Sequence, residues 1–240
     1  MSTTAQRILV WDLPTRLFHW SLALCFTGAW LTSDSERQQL LHLLFGYSLF
    51  GLIAFRLVWG VVGTRYARFA QFVRGPRAVL HYLRALWQRR PENGVGHNPA
   101  GAVAIVLLLG LGFGTALTGW LMASGRAGDA LEEVHEALAT AMLALVGVHV
   151  LAVIASSVLH RRNLVRAMVT GYQQGLPAQG IRSAAVAVGL VLAAALGGFW
   201  AYGLATQRLP FGLGAGSDGV AGVAVSSANP GRGDRDGDDD

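Results

Sequence analysis

Four histidines, His19, His42, His135 and His149, each lie inside a long apolar stretch of this chain. Neutral imidazole is a common metal ligand. In an apolar setting an ionisable side chain is rare and turns toward the protein interior. One such histidine reads equally well as a packing residue; four of them make their arrangement the question. His135 and His149 are fourteen residues apart. At roughly 100° and 1.5 Å per residue, that is about 40° short of four turns and about 21 Å of rise, so the two share a face at two depths. His81, His97 and His160 fall outside the apolar stretches or at their ends.

The elements that must carry these histidines are membrane spans. Hydrophobic residues make up 52% of the 240 and charged residues 14%, against about 25% charged in soluble domains. A span needs about 20 apolar residues, and five stretches qualify, at about residues 13–31, 38–63, 99–123, 131–159 and 183–204. Pro14 and Pro99 sit at favourable helix starts, with Asn98 as a cap. The first stretch has the length of a signal peptide. It contains Arg16 and His19 and is followed by no small-residue cleavage site, so it reads as a retained span.

All 19 basic residues are arginines. They cluster beside the apolar stretches, which marks topology rather than nucleic-acid binding. Residues 64–98 hold seven arginines against Glu92, and residues 160–182 hold four with no acid. The positive-inside rule puts these connections and residues 1–12 in the cytoplasm, and five spans put the C-terminus outside. Residues 208–240, glycine-rich and ending in acids, read as a disordered periplasmic tail. Residues 76–90 predict an amphipathic helix on the inner leaflet, with Val79, Leu80, Leu83, Leu86 and Trp87 on one face. A docking face for a cytoplasmic partner is the alternative.

With this topology the histidines sort by depth into an inner pair, His19 with His149, and an outer pair, His42 with His135. Two histidines at one depth on neighbouring helices can ligate one iron from both faces of a porphyrin. Tetrahedral zinc would need further ligands at each level, and no second cysteine, Asp or Glu lies at those depths. Cys25 is the single cysteine, so no thioether attachment is available and the haems are expected to be two non-covalent b haems. Gly46, Gly110 and Gly114 could admit a flat macrocycle, although plain helix packing uses the same small residues. Arg56 and Arg16 lie near the inner surface, where guanidinium could pair with haem propionates. His97, at the cytoplasmic entry of the third span, is a candidate for a propionate or quinone contact and not for an axial ligand.

The ordered segments Trp11-Asp12-Leu13-Pro14-Thr15-Arg16-Leu17-Phe18-His19-Trp20, His42-Leu43-Leu44-Phe45-Gly46-Tyr47, Phe55-Arg56-Leu57-Val58-Trp59-Gly60, Gly96-His97-Asn98-Pro99-Ala100-Gly101-Ala102 and Val134-His135-Glu136 running to Val148-His149 give the chain a family likeness. Over about residues 8–175 it resembles the bacterial cytochrome b561 family, which includes the b-type cytochrome subunits of nickel-iron hydrogenases. The resemblance implies a four-helix core over residues 13–175 that holds two b haems. It also implies that His19, His42, His135 and His149 are the ligands, and that electrons pass between quinone and a redox partner. The fifth span, within residues 176–207, and the tail depart from that pattern.

The expectation is therefore an all-α integral membrane bundle: a four-helix dihaem core plus a fifth transmembrane helix, in the bacterial inner membrane. It would carry electrons between quinone or quinol and a periplasmic c-type cytochrome or a dehydrogenase or hydrogenase subunit. It would act as an electron-transfer protein or as the cytochrome subunit of an oxidoreductase complex, with no catalytic side chain of its own. The rivals are a quinone-linked oxidoreductase acting on a small species such as superoxide, a haem-free histidine-dependent transporter or proton channel, and a pure membrane anchor.

Overall fold

The computed structural model describes residues 6–88, 94–125, 128–159 and 161–209. His160, Arg89, Arg90 and the tail from Pro210 lie outside the described residues, as do the side chains of Leu83, Leu86 and Trp87.

The chain opens with a strand, β1 (Gln6–Leu9), and turns into helix α1 (Leu13–Leu31). The Asp12 carboxylate starts that helix by accepting from the Thr15 amide at 2.8 Å. Pro14 occupies the first turn, where a missing N–H leaves no bond unmade. A 3-10 turn at Glu36–Gln38 leads back into α2 (Gln39–Val62). Two short helices follow, α3 (Phe69–Phe72) and α4 (Pro76–Trp87). Next comes α5 (Pro99–Ala123), with the Asn98 side chain accepting from the Gly101 amide at 2.6 Å. The chain closes with α6 (Asp129–Leu159), α7 (Leu164–Thr170), strand β2 (Tyr172–Gly175) and α8 (Val186–Thr206).

The fold is a helical membrane bundle, with one addition to the all-α expectation. β1 pairs antiparallel with β2, Gln6 opposite Gly175 and Leu9 opposite Tyr172. The glutamines of β2 give no hydrophobic alternation from which a strand could be read. The turn into β2 needs Gly171: its φ of 88° lies in the left-handed region that ends α7. Its carbonyl accepts from the amides of Val10 and Trp11 at 2.8 and 3.0 Å. The sheet therefore ties the start of α1 to the segment after α6. That end of the bundle is called the sheet end below, and the end holding the α1–α2 and α5–α6 connections the far end.

α1 packs on α2, α2 on α5, α5 on α6, and α8 on α1. The core is filled by Phe18, Cys25 and Phe26 of α1, Leu49, Leu52 and Ile53 of α2, Leu109 and Ala116 of α5, and Met142 of α6. By length and composition, four of the described helical stretches can cross a membrane: Glu36–Val62, Pro99–Ala123, Asp129–Leu159 and Val186–Thr206. α1 is not among them, because Arg16 and His19 interrupt its first half. α8 docks through Trp200, whose Nε1 donates to Ser48 Oγ at 2.9 Å and whose ring lies 4.7 Å from that of Phe45. The helix expected at 76–90 ends at Trp87 and packs on α5. It buries Tyr82, and of the apolar face read from the sequence it leaves Leu80 exposed.

Candidate metal centres

The two pairs expected from helix depth are the two pairs that come together. The rings of His19 and His149 have centroids 6.5 Å apart, and those of His42 and His135 are 6.4 Å apart. In each pair α6 supplies one member, and α1 or α2 supplies the other. Two imidazole–metal bonds of about 2 Å each, with half a ring on either side, account for a separation of this size. Among the described residues no three His, Cys, Asp or Glu side chains gather as a metal-binding group. The arrangement is two ligands facing each other at two levels, which suits an ion whose remaining positions are filled by a macrocycle.

At the far end both rings are oriented by the chain. His42 Nδ1 lies 2.9 Å from the Ala29 carbonyl at the end of α1. His135 Nδ1 lies 3.0 Å from Thr118 Oγ1 of α5. A carbonyl only accepts, so His42 carries its proton on Nδ1 and leaves Nε2 free to ligate. Gly46 and Gly119 line a cavity beside this pair, with Tyr47, Thr115 and Trp120. A Cβ built on Gly46 would meet nothing within 4 Å, whereas one on Gly119 would lie 3.1 Å from His135 Cε1. Of the other glycines singled out from the sequence, Gly110 also faces open space, and Gly114 packs against Leu138 of α6.

The sheet end is built differently. His19 Nδ1 is buried without a hydrogen-bond partner, and so are Thr15 Oγ1, Arg16 Nε, Arg56 Nη1 and His97 Nδ1. Among the described residues the far end has one such atom, Tyr47 Oη. Arg56 is 3% exposed. Its guanidinium carbon lies 4.6 Å from the Phe69 ring centre and about as far again as a ring contact allows from Phe72 and Phe18, at 5.9 and 6.0 Å. His97 sits between Trp11 and Phe72, with ring centroids at 4.5 and 4.3 Å. Burial first, and then the charges of Arg56, His19 and His149, holds its imidazole down at about 3. A neutral His97 can still donate one ring N–H to an anion, and the two arginines supply the positive charge. Unpaired buried donors beside two guanidinium groups are what an anionic ligand group would complete.

One organising residue was missed in reading the sequence. Asp12 is 1% exposed and accepts from the Thr15 amide, from Trp59 Nε1 at 3.1 Å and from the Thr64 hydroxyl. It joins the first turn of α1 to the last turn of α2 and thereby sets the height of His19. An Asp two residues before a proline at the edge of an apolar stretch is a helix-start signal, and it was available in the sequence. His81 is exposed on α4 and belongs to neither pair.

Apolar helices of spanning length around two facing histidine pairs define a membrane bundle of the cytochrome type. The family profile for prokaryotic cytochrome b561 matches residues 10–171, about two thirds of the chain, and the protein belongs to that family. It is accordingly a membrane-embedded b-type cytochrome that binds haem b and works in electron transfer. No curated protein and no solved structure matches the chain. The match ends before α8.

Proposed function

We propose that the protein holds two haem b groups, one at each histidine pair, and carries electrons across the bacterial inner membrane between quinone or quinol and a redox partner. The observation that carries this reading is the facing of His19 with His149 and of His42 with His135 at nearly equal separations. Bound haem iron alternates between ferrous and ferric states and so takes up and gives back one electron. The side chains of this chain provide the rest. The four imidazoles would hold the two groups, at levels set about 21 Å apart along α6 by the helical rise between His135 and His149. Arg56 and Arg16 would pair with propionates at the sheet end, where their charge would favour the electron-rich state. Met142 lies seven residues from each ligand of α6 and is 2% exposed. With Phe26, Leu49 and Ile53 it fills the space between the two levels and keeps water out of it.

In this reading α1 also crosses the membrane, because it lies between α2 and α8 and spans both histidine levels. Five crossings then put the arginine-rich sheet end and the N-terminus in the cytoplasm and the C-terminus outside. An apolar groove between α2 and α5, lined by Ile53, Leu57, Phe69, Val73, Val106 and Phe113, reaches the sheet-end cluster through Phe69. It would accept the hydrophobic tail of a quinone. The redox partner is a periplasmic c-type cytochrome or a dehydrogenase or hydrogenase subunit.

The test is a reduced-minus-oxidised absorbance spectrum of the purified protein with a haem count per chain. Two extractable low-spin haems per chain are expected. A colourless protein would overturn the reading and turn attention to a histidine-dependent proton channel. Liposomes with an oxidant sealed inside and an impermeant reductant outside then test the crossing. The intact protein couples the two, and His19→Ala takes up electrons at its remaining centre without passing them through.

A further inference from the structure

The Thr118 hydroxyl makes three contacts and owns one proton. It lies 2.9 Å from the Gly114 carbonyl, 2.9 Å from the Thr115 carbonyl and 3.0 Å from His135 Nδ1. Both carbonyls can only accept, and a hydroxyl that donates to either turns a lone pair toward His135. His135 Nδ1 then donates its hydrogen to Thr118 Oγ1, which is the tautomer that ligation through Nε2 requires. The ring is boxed on one edge by Gly119, where any Cβ would press on Cε1 at 3.1 Å. Thr118 is itself buried, at 8% exposure.

We propose that Thr118 is a positioning residue for the far-end centre: it fixes the tautomer and the turn of the His135 ring, and its pull on the Nδ1 hydrogen makes that imidazole a stronger electron donor to whatever Nε2 ligates. The proposal rests on the histidine pairs being haem ligands. A more strongly donating axial imidazole favours ferric over ferrous iron, so Thr118 lowers the midpoint potential of the far-end haem. No hydrogen bond of this kind orients His19 at the sheet end, and the effect is confined to one centre.

The experiment is an optical redox titration of the purified full-length protein, with the two midpoints assigned by comparison with His149→Ala. Thr118→Val keeps the shape and removes the acceptor. It should raise the far-end midpoint, changing the ferric-to-ferrous ratio at fixed poise by about tenfold, or about 59 mV for a one-electron couple. The sheet-end midpoint should stay in place. Thr118→Ser keeps the hydroxyl and should restore the parental value, a rescue that a merely space-filling role would not give. Two low-spin centres with unchanged midpoints in Thr118→Val overturn the proposal while leaving the dihaem reading intact. If Thr118→Val does not accumulate, Thr118→Ala decides: a raised far-end midpoint supports the role, and a parental one overturns it. Failure of the dihaem reading is a separate result, visible in the parental protein as the absence of low-spin signals.

Discussion

At the far end of the bundle His42 and His135 are held by acceptors of the chain itself, the Ala29 carbonyl and the Thr118 hydroxyl. At the sheet end His19 Nδ1 has no partner, and four more buried polar atoms around it, on Thr15, Arg16, Arg56 and His97, have none either. The ring separations of the two pairs nevertheless agree to 0.1 Å, at 6.4 and 6.5 Å. The same ligand pair is thus prepared in two ways. One site orients its imidazoles in advance. The other leaves its donors open, and in the proposed reading a bound group's anionic substituents would finish the network. A buried donor without a partner costs about 1–3 kcal/mol, so the sheet end gains more from occupancy than the far end does.

The largest effects that sharpen this comparison come from the ligands on α6. His149→Ala should abolish the sheet-end low-spin signal and leave the far-end one, and His135→Ala should do the reverse; difference spectra and haem counts read both. Loss of both centres in either variant would mean that the two ends are not independent. Next, Met142→Ala should destabilise the protein by about 2–5 kcal/mol, as expected for a buried truncation. Thermal unfolding in detergent, followed at both haem bands, should show the two centres failing together, because Met142 is equidistant from them in sequence. Asp12→Ala should cost about 2–3 kcal/mol, from the lost helix cap and the two side-chain bonds, and the damage should be one-sided. The same melt should show the sheet-end band lost first. The smallest of the site effects is expected from Arg56→Gln. It should weaken retention of the sheet-end haem about tenfold and lower that midpoint, while the far-end haem stays put on dilution. His81→Ala sets the zero of this scale, with an unchanged spectrum.

The pairing of the histidines was legible because depth along an α-helix depends on residue number alone. Helix starts at Pro14 and Pro99 were legible for the same kind of reason, since a cap and a proline act within one turn. The orientation of each ring was not. Whether His135 meets Thr118, or His42 meets Ala29, depends on how α5 and α1 are rotated about their axes against neighbours, and apolar helices with almost no amphipathic bias carry little information about rotation. Asp12 could have been found as a cap; its bonds to Trp59 and Thr64 join segments that only the folded bundle brings together. The sheet escaped because a strand of two glutamines between a tyrosine and a glycine has no period to detect.

That sheet has a consequence for how the molecule is made. β1 leaves the ribosome well before its partner, which begins at Tyr172. At about 5–20 residues per second the partner emerges roughly 10–30 s later. Pairing of the strands therefore cannot guide α1 into place as it is made; it follows synthesis of α1, α2, α5 and α6 and precedes that of α8. The same delay applies to both histidine pairs, since each takes a member from α6, the last helix of the core to be synthesised. Neither site exists on the nascent chain until α6 arrives, and then both are completed within one helix length. A group held by either histidine pair would thereby be acquired only once α6 has arrived, at both levels alike.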